Sequence, residues 1–126
     1  METPSCSSPE QTIQAYVDAC RAGDIDSLRG IFLPGATMSG IFEGEFYLGS
    51  PEIFFDEVRD NPLSPEAQRE FRATIESSEI FHDIASIVLR ETGYLGSYNL
   101  TNLFHLVERP VGWRITGKVY SDGLQP

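Results

Sequence analysis

The sequence predicts an α+β domain in which a helical N-terminal half packs on one face of an antiparallel sheet made by the C-terminal half. Two patterns carry the prediction. The tripeptide Ser-Pro-Glu occurs at Ser8, Ser50 and Ser64, and each copy has helix-start chemistry. A serine can cap, a proline is tolerated at the first helical position, and an acid meets the positive end of the dipole. From Phe71 onward, apolar residues recur at alternate positions between turn residues, which is the period of half-buried strands. Helices first and strands afterwards place the helices together on one sheet face.

Taken in order, residues 1–8 read as a flexible leader and residues 9–126 as one domain. Ser8 starts the first helix, with Gln11 completing a capping box. Ile13, Tyr16, Val17 and Cys20 form its apolar stripe and Gly23 ends it. Asp24 caps a short second helix with Leu28, Ile31 and Phe32 inward, closed by Pro34-Gly35. Ala36 to Tyr47 reads as extended chain with an irregular hairpin around Gly40 and Gly44. Ser50 opens a third helix carrying Phe54, Phe55 and Val58. "NPLSPEAQ" is a polar loop with one helical turn.

Four strands follow, over Phe71 to Phe81, Ile84 to Thr92, Tyr98 to Val107 and Gly112 to Tyr120. Turns at His82-Asp83, Gly93 to Gly96 and Pro110 to Gly112 join them into a meander. The strand from Leu100 to Val107 is apolar on both sides, with Leu100, Phe104 and Leu106 on one and Leu103 and Val107 on the other. A sheet with one wet face should alternate more cleanly. Both faces are therefore expected to be covered, one by the chain's own helices and one by a second copy.

Composition narrows the function. In 126 residues, 9 basic against 19 acidic side chains give a formal charge of −10. That balance repels a phosphate backbone, and no basic stripe offsets it, which argues against nucleic acid as a partner. "METPSCSSPE" lacks the basic and apolar regions of a secretion signal, and no apolar run reaches membrane-spanning length. Cys6 and Cys20 have no framework spacing and read as thiols in a reducing compartment. The expectation is a soluble, cytoplasmic protein with no membrane partner.

The histidines, His82 in a turn and His105 on the strand face opposite Asn102, are scattered, so no metal site is expected. No nucleophile motif or phosphate-cradling glycine loop is present, and no cofactor is implied. Asn102 stands out because it shares a face with Leu100, Phe104 and Leu106. A buried amide costs stability unless its donors and acceptors find partners. Those partners can be neighbouring backbone or a ligand.

The stretches "YVDACRAGDIDSLRGIFLPGATM" and "LTNLFHLVERPVGWRITGKVY" resemble the nuclear transport factor 2-like superfamily, which includes ketosteroid isomerase, SnoaL-like polyketide cyclases and scytalone dehydratase. Within it, "LTNLFHL" and "WRITGKVY" look most like the small proteins of the putative lumazine-binding subgroup. The resemblance covers nearly the whole chain from Glu10. It implies a conical fold, a curved sheet wrapped around helices with a pocket open at one end. It says little about chemistry, because the fold hosts unrelated activities.

Aligned with isomerases of this fold, Tyr16 takes the place of a tyrosine, and Asn102 that of an acid, which donate to a substrate oxyanion. An Asn amide can donate to a carbonyl oxygen without the raised pKa a carboxyl would need. The position of the general base is Gly40, in "TMSGIFEG", which removes steroid-type proton abstraction and leaves Glu43 or Glu45 as substitutes from the hairpin. Lys118 is open. Trp113, Ile115 and Val119 read as the apolar side of the last strand, which sends Lys118 and Tyr120 to water, whereas the resemblance puts Lys118 and Tyr120 in the pocket and the tryptophan on the outer, dimer-forming surface. Tyr16 has the plainer reading of a core tyrosine with a satisfied hydroxyl.

The candidate site is accordingly Tyr16, Asn102 and Lys118 as groups for catalysis, with Phe32, Phe55, Phe104, Leu106 and Tyr120 as ligand-binding wall. The expected partner is a small hydrophobic ligand bearing a carbonyl, and the expected assembly a homodimer through the outer sheet face. An isomerase, dehydratase or cyclase without a cofactor is the class of activity implied. The alternative is a dimerisation or interaction module without a ligand.

Overall fold

A computed structural model of the chain describes residues 6–123. Helix α1 (Pro9–Ala22) starts where Ser8 accepts the Gln11 N–H at 3.1 Å, and Gln11 reaches back to the Ser7 N–H at 2.8 Å. Helix α2 (Ile25–Gly30) is capped by Asp24, whose carboxylate takes the Ser27 N–H. Burial on one side of α1 (Ile13, Tyr16, Val17 and Cys20) is the expected stripe. Each fully buried large side chain of this kind contributes about 1.5–3 kcal/mol.

The first strand begins earlier than the sequence reading has it. Strand β1 spans Phe32–Phe42, so Phe32 to Gly35 are extended rather than the close of a helix. The helix expected to run to Pro34-Gly35 ends at Gly30. A proline is accommodated there because the pairing of β1 with the last strand is interrupted between Phe32 and Thr37, where no ladder N–H is required. Strand β2 (Glu45–Gly49) returns from a tight turn in which Glu43 and Gly44 both have positive φ (52° and 80°). That geometry matches the right-handed twist of a hairpin.

Helix α3 (Glu52–Asp60) starts after Pro51, and Ser50 Oγ accepts the Glu52 N–H at 3.3 Å. The single turn expected in the polar loop is a six-residue helix, α4 (Pro65–Glu70), capped by Ser64.

Strands β3 (Arg72–Phe81), β4 (Ile84–Tyr94), β5 (Tyr98–Arg109) and β6 (Gly112–Ser121) form the meander. The sheet has six strands in the order β2-β1-β6-β5-β4-β3, antiparallel except where β1 lies parallel to β6. It curls around α1, which touches β3, β4 and β6. Tyr16 packs edge-on against Phe104 at 4.9 Å between centroids, within a core that includes Leu89, Leu106 and Ile115.

The last strand changes which residues face the core. Leu106 pairs with Ile115 but His105 pairs with Gly117, so Thr116 is an extra residue on β6. A bulge of one residue swaps the faces on either side of it. Trp113 and Ile115 therefore share the inner face with Lys118, while Val119 points outward. Trp113, expected on the outer surface, is 4% exposed and belongs to the core. Strict alternation puts Lys118 opposite Ile115, and the bulge brings them to the same side.

Residues 1–5 of the expected leader lie outside the described residues. Within its remainder, Cys6 is buried, its carbonyl accepts the Trp113 N–H at 2.9 Å, and it bridges Gly112. Cys6 and Cys20 are both buried thiols rather than a disulfide. No helix among the described residues is long and apolar enough to cross a membrane.

Candidate functional site

Between the inner face of the sheet and α3 lies an open-mouthed cavity of about 340 Å³. Met38 and Phe42 of β1, Tyr47 of β2, and Ile53 and Phe54 of α3 form its walls. Asn102 of β5 with Lys118 and Tyr120 of β6 form its floor, and Glu45, Glu57 and Tyr94 also line it. The mostly apolar lining with few polar groups is typical of sites for small molecules.

Gly40 explains how Tyr120 comes to lie on this floor. It pairs with Tyr47 on one side and Tyr120 on the other. A Cβ at Gly40 would lie 2.3 Å from the Tyr120 carbonyl oxygen and 2.6 Å from its ring. The Tyr120 ring thus occupies the space into which a side chain at position 40 would project. The missing carboxylate at this position is a packing consequence as well as a chemical one.

The polar groups form a diagonal across three strands. Asn102 pairs with Leu89 and Tyr120, Glu91 with Leu100, and Lys118 with Phe104. Glu91 and Lys118 are accordingly diagonal neighbours of Asn102 on opposite sides, within reach of long side chains. The Asn102 Nδ2–H donates to Glu91 Oε1. Asn102 Oδ1 has no hydrogen-bond partner among the described residues, although the residue is 0% exposed. Such an orphaned acceptor costs about 1–3 kcal/mol in a folded protein.

Glu91 and Lys118 are both buried, at 2% and 5% exposure. Burial pushes the Glu91 carboxyl above its ordinary value, opposed by the Lys118 charge and then by the Asn102 hydrogen bond. Burial also pulls the Lys118 ammonium down, opposed chiefly by Glu91. Three aromatic faces surround the ammonium: Nζ lies 3.6 Å from the Phe54 centroid, 5.2 Å from Tyr16 and 5.5 Å from Tyr120. Ring quadrupoles hold a cation there that water no longer solvates.

Of the residues singled out from sequence, Asn102, Lys118 and Tyr120 line the cavity together. Tyr16 lies behind it, stacked on Phe54 at 5.9 Å, with its hydroxyl next to the Cys20 thiol one turn on. Burial, foremost, raises the Tyr16 pKa well above its ordinary value and lifts that of Cys20 to about 12, so both keep their protons at neutral pH. Phe32, Phe55, Phe104 and Leu106 are buried in the core and do not line the cavity. Glu45 lines the cavity, whereas Glu43 accepts the Tyr98 hydroxyl at the surface.

Glu91 was missed by sequence reasoning, and so was Glu57. For Glu91 a signal exists. Ala85, Ile87, Leu89 and Glu91 are one alternating set, so an acid continues an apolar face, just as the amide of Asn102 does on the next strand.

Solved structures share this architecture. A nuclear transport factor 2-like protein of unknown function from Shewanella baltica is 22% identical, with a TM-score of 0.77 over 93% of this chain and 90% of that one. One from Silicibacter pomeroyi is 24% identical, with a TM-score of 0.77 over 88% and 89%. A ketosteroid isomerase-like protein from Erwinia carotovora is 18% identical, with a TM-score of 0.67 over 93% and 94%. At these identities the likeness is one of fold. No curated protein matches the chain. The chain's fold is that of these nuclear transport factor 2-like proteins. The family model described as "Putative lumazine-binding" matches residues 7–121, and the chain belongs to that family.

Proposed function

We propose that the protein binds a compact hydrophobic molecule bearing a carbonyl, with the ligand's polar edge against Asn102 and Lys118. The observation that supports this most is that Asn102, whose buried Oδ1 has no partner among the described residues, lines a cavity together with the buried Lys118. A purely structural amide would be expected to satisfy both ends within the sheet. The family's description and the isomerase-like neighbour agree with a small ligand. Phe54 and Tyr120 supply ring faces, and Lys118 a donor for the carbonyl oxygen.

Binding is favoured over turnover. Proton abstraction, the core of an isomerase, dehydratase or cyclase mechanism of this kind, needs a base beside the reacting carbon. Tyr120 fills the space at Gly40, and the carboxylates that line the cavity, Glu45 and Glu57, are on exposed residues. If the chain turns its ligand over without a cofactor, Glu57 is the base to test, with Lys118 polarising the carbonyl.

Thermal melts with a panel of aromatic carbonyl compounds test the binding reading. At least one compound should raise the melting temperature of the wild type, and Asn102→Leu should abolish that rise. A destabilised Asn102→Leu protein with an unaltered ligand response would make the amide a purely structural residue.

A second reading concerns assembly. Leu48, Val119 and Leu103 are exposed and fall in one cross-sheet row with Ser39 and the half-buried Val88 on the outer face. Exposed Ile84 and Phe81 pair further along the same face, beyond Ser86 and His105. The adjoining Val119, Leu103 and Val88 form the apolar centre of this face, such a patch being the mark of an interaction surface, and a second copy of the chain is its proposed occupant.

A further inference from the structure

Glu91 lies outside the cavity lining, yet it decides what the cavity offers. A carboxamide presents a donor on one side and an acceptor on the other, and the two ends are similar in shape. Rotation by half a turn therefore reverses its polarity at little steric cost. Which end faces the ligand is set by the partner on the far side. Here that partner is the Glu91 carboxyl group, which in its ionised form only accepts. Glu91 Oε1 takes the Nδ2–H, and Oδ1 is the end left without a partner among the described residues. On the other diagonal, Lys118 brings an ammonium that only donates.

We propose that Glu91 is a specificity-determining residue of this cavity: by holding the N–H side of Asn102 it turns the amide oxygen to the ligand, and the site selects an edge that pairs an N–H or O–H donor with an acceptor, as in a lactam, an imide or a carboxylic acid, over a simple ketone. The inference rests on the small-molecule reading above and narrows its substrate class. A lactam satisfies both groups, its N–H meeting Asn102 Oδ1 and its carbonyl meeting Lys118. A ketone of the same shape meets Lys118 equally well but leaves Oδ1 without a donor. Sites built around a buried hydrogen-bonding group discriminate strongly against the analogue that lacks the matching group.

Two probes isolate this contact. Isoindolin-1-one and 1-indanone differ by one ring position, an N–H in the first and a CH₂ in the second. Their affinities are measured by calorimetry or NMR titration on the wild type and on Glu91→Gln, whose carboxamide can donate to Oδ1 and release Asn102 to turn. The wild type should bind the lactam at least tenfold more tightly than the ketone, and Glu91→Gln should cut that ratio to about threefold or less. Loss of general stability would weaken both probes together and leave the ratio unchanged, so the ratio separates a positioning role from a structural one.

Equal affinities in the wild type would overturn the proposal without the mutant, while leaving the cavity a ligand site. A ratio that persists in folded Glu91→Gln would equally overturn it. Binding of neither probe to the wild type would remove the small-molecule reading itself. Should Glu91→Gln fail to fold, N-methylisoindolin-1-one on the wild type decides the matter: it should bind at least tenfold more weakly than the unmethylated lactam, and no loss would sink the assignment.

Discussion

The carboxylate of Glu91 on β4 takes an N–H of Asn102 on β5, and both side chains are sealed from solvent. This one bond fixes the orientation of an amide whose oxygen has no partner among the described residues, and it ties a buried acid to a residue that lines the cavity. It also links the site to pH.

Glu91 has a folded-state pKa above its ordinary value of 4.5, because burial outweighs the Lys118 charge and the Asn102 bond. The native state therefore holds its proton over a range in which the unfolded chain has released it. Stability from this group is fully present below the unfolded pKa and is lost as pH rises through the folded one. The groups around it are Lys118 of β6, Asn102 of β5, Tyr16 and Cys20 of α1, and Tyr94 of β4 itself. Chemical denaturation of the wild type and Glu91→Gln across this range should show the variant gaining relative to the wild type as pH rises above 4.5. A difference that does not change with pH would mean that Glu91 titrates alike in both states.

Gly40 makes a steric prediction. Its missing side chain leaves room for Tyr120, whose carbonyl oxygen would lie 2.3 Å from an added Cβ. Gly40→Ala should destabilise the fold by about 1–3 kcal/mol, the usual range for overpacking, and should weaken any ligand that contacts Tyr120. Denaturant titration checks the first part. An unchanged midpoint would show that β1 and β6 yield without cost.

The outer row makes a prediction about assembly. Leu103 is 44% exposed on that face, so a charge there leaves the core intact. Leu103→Asp should convert a dimer to a monomer in sedimentation velocity at micromolar concentration, with little change in the melting temperature of the monomer. A wild type that already sediments as a monomer would remove the dimer.

Most of the fold was legible because its signals are local. Ser8, Asp24 and Ser64 cap helices as their sequence context implies, and the meander from β3 to β6 follows the alternation. What escaped depends on register. The Thr116 bulge, invisible in a period-two pattern, turns Trp113 inward and puts Lys118 on the same face. The start of β1 at Phe32 escaped because Pro34-Gly35 reads as a helix stop, while the interrupted pairing with β6 accommodates it as extended chain. Asn102 was legible as an amide on an apolar face. Its partner was not, because Glu91 is 11 residues away in sequence and meets it only once β4 and β5 are set in register.

The central claim is that the floor formed by Asn102, Lys118 and Tyr120 binds a small molecule, and residue-resolved NMR tests it most directly. Uniformly ¹⁵N-labelled protein is titrated with isoindolin-1-one into the millimolar range, following backbone amides and the Asn102 side-chain NH₂. Saturable shifts should concentrate at Met38, Phe54, Asn102, Lys118 and Tyr120, which line the cavity, and should spare the exposed Phe81 and Ile84 on the outer face. Shifts confined to the outer face, or none at all, would contradict the account.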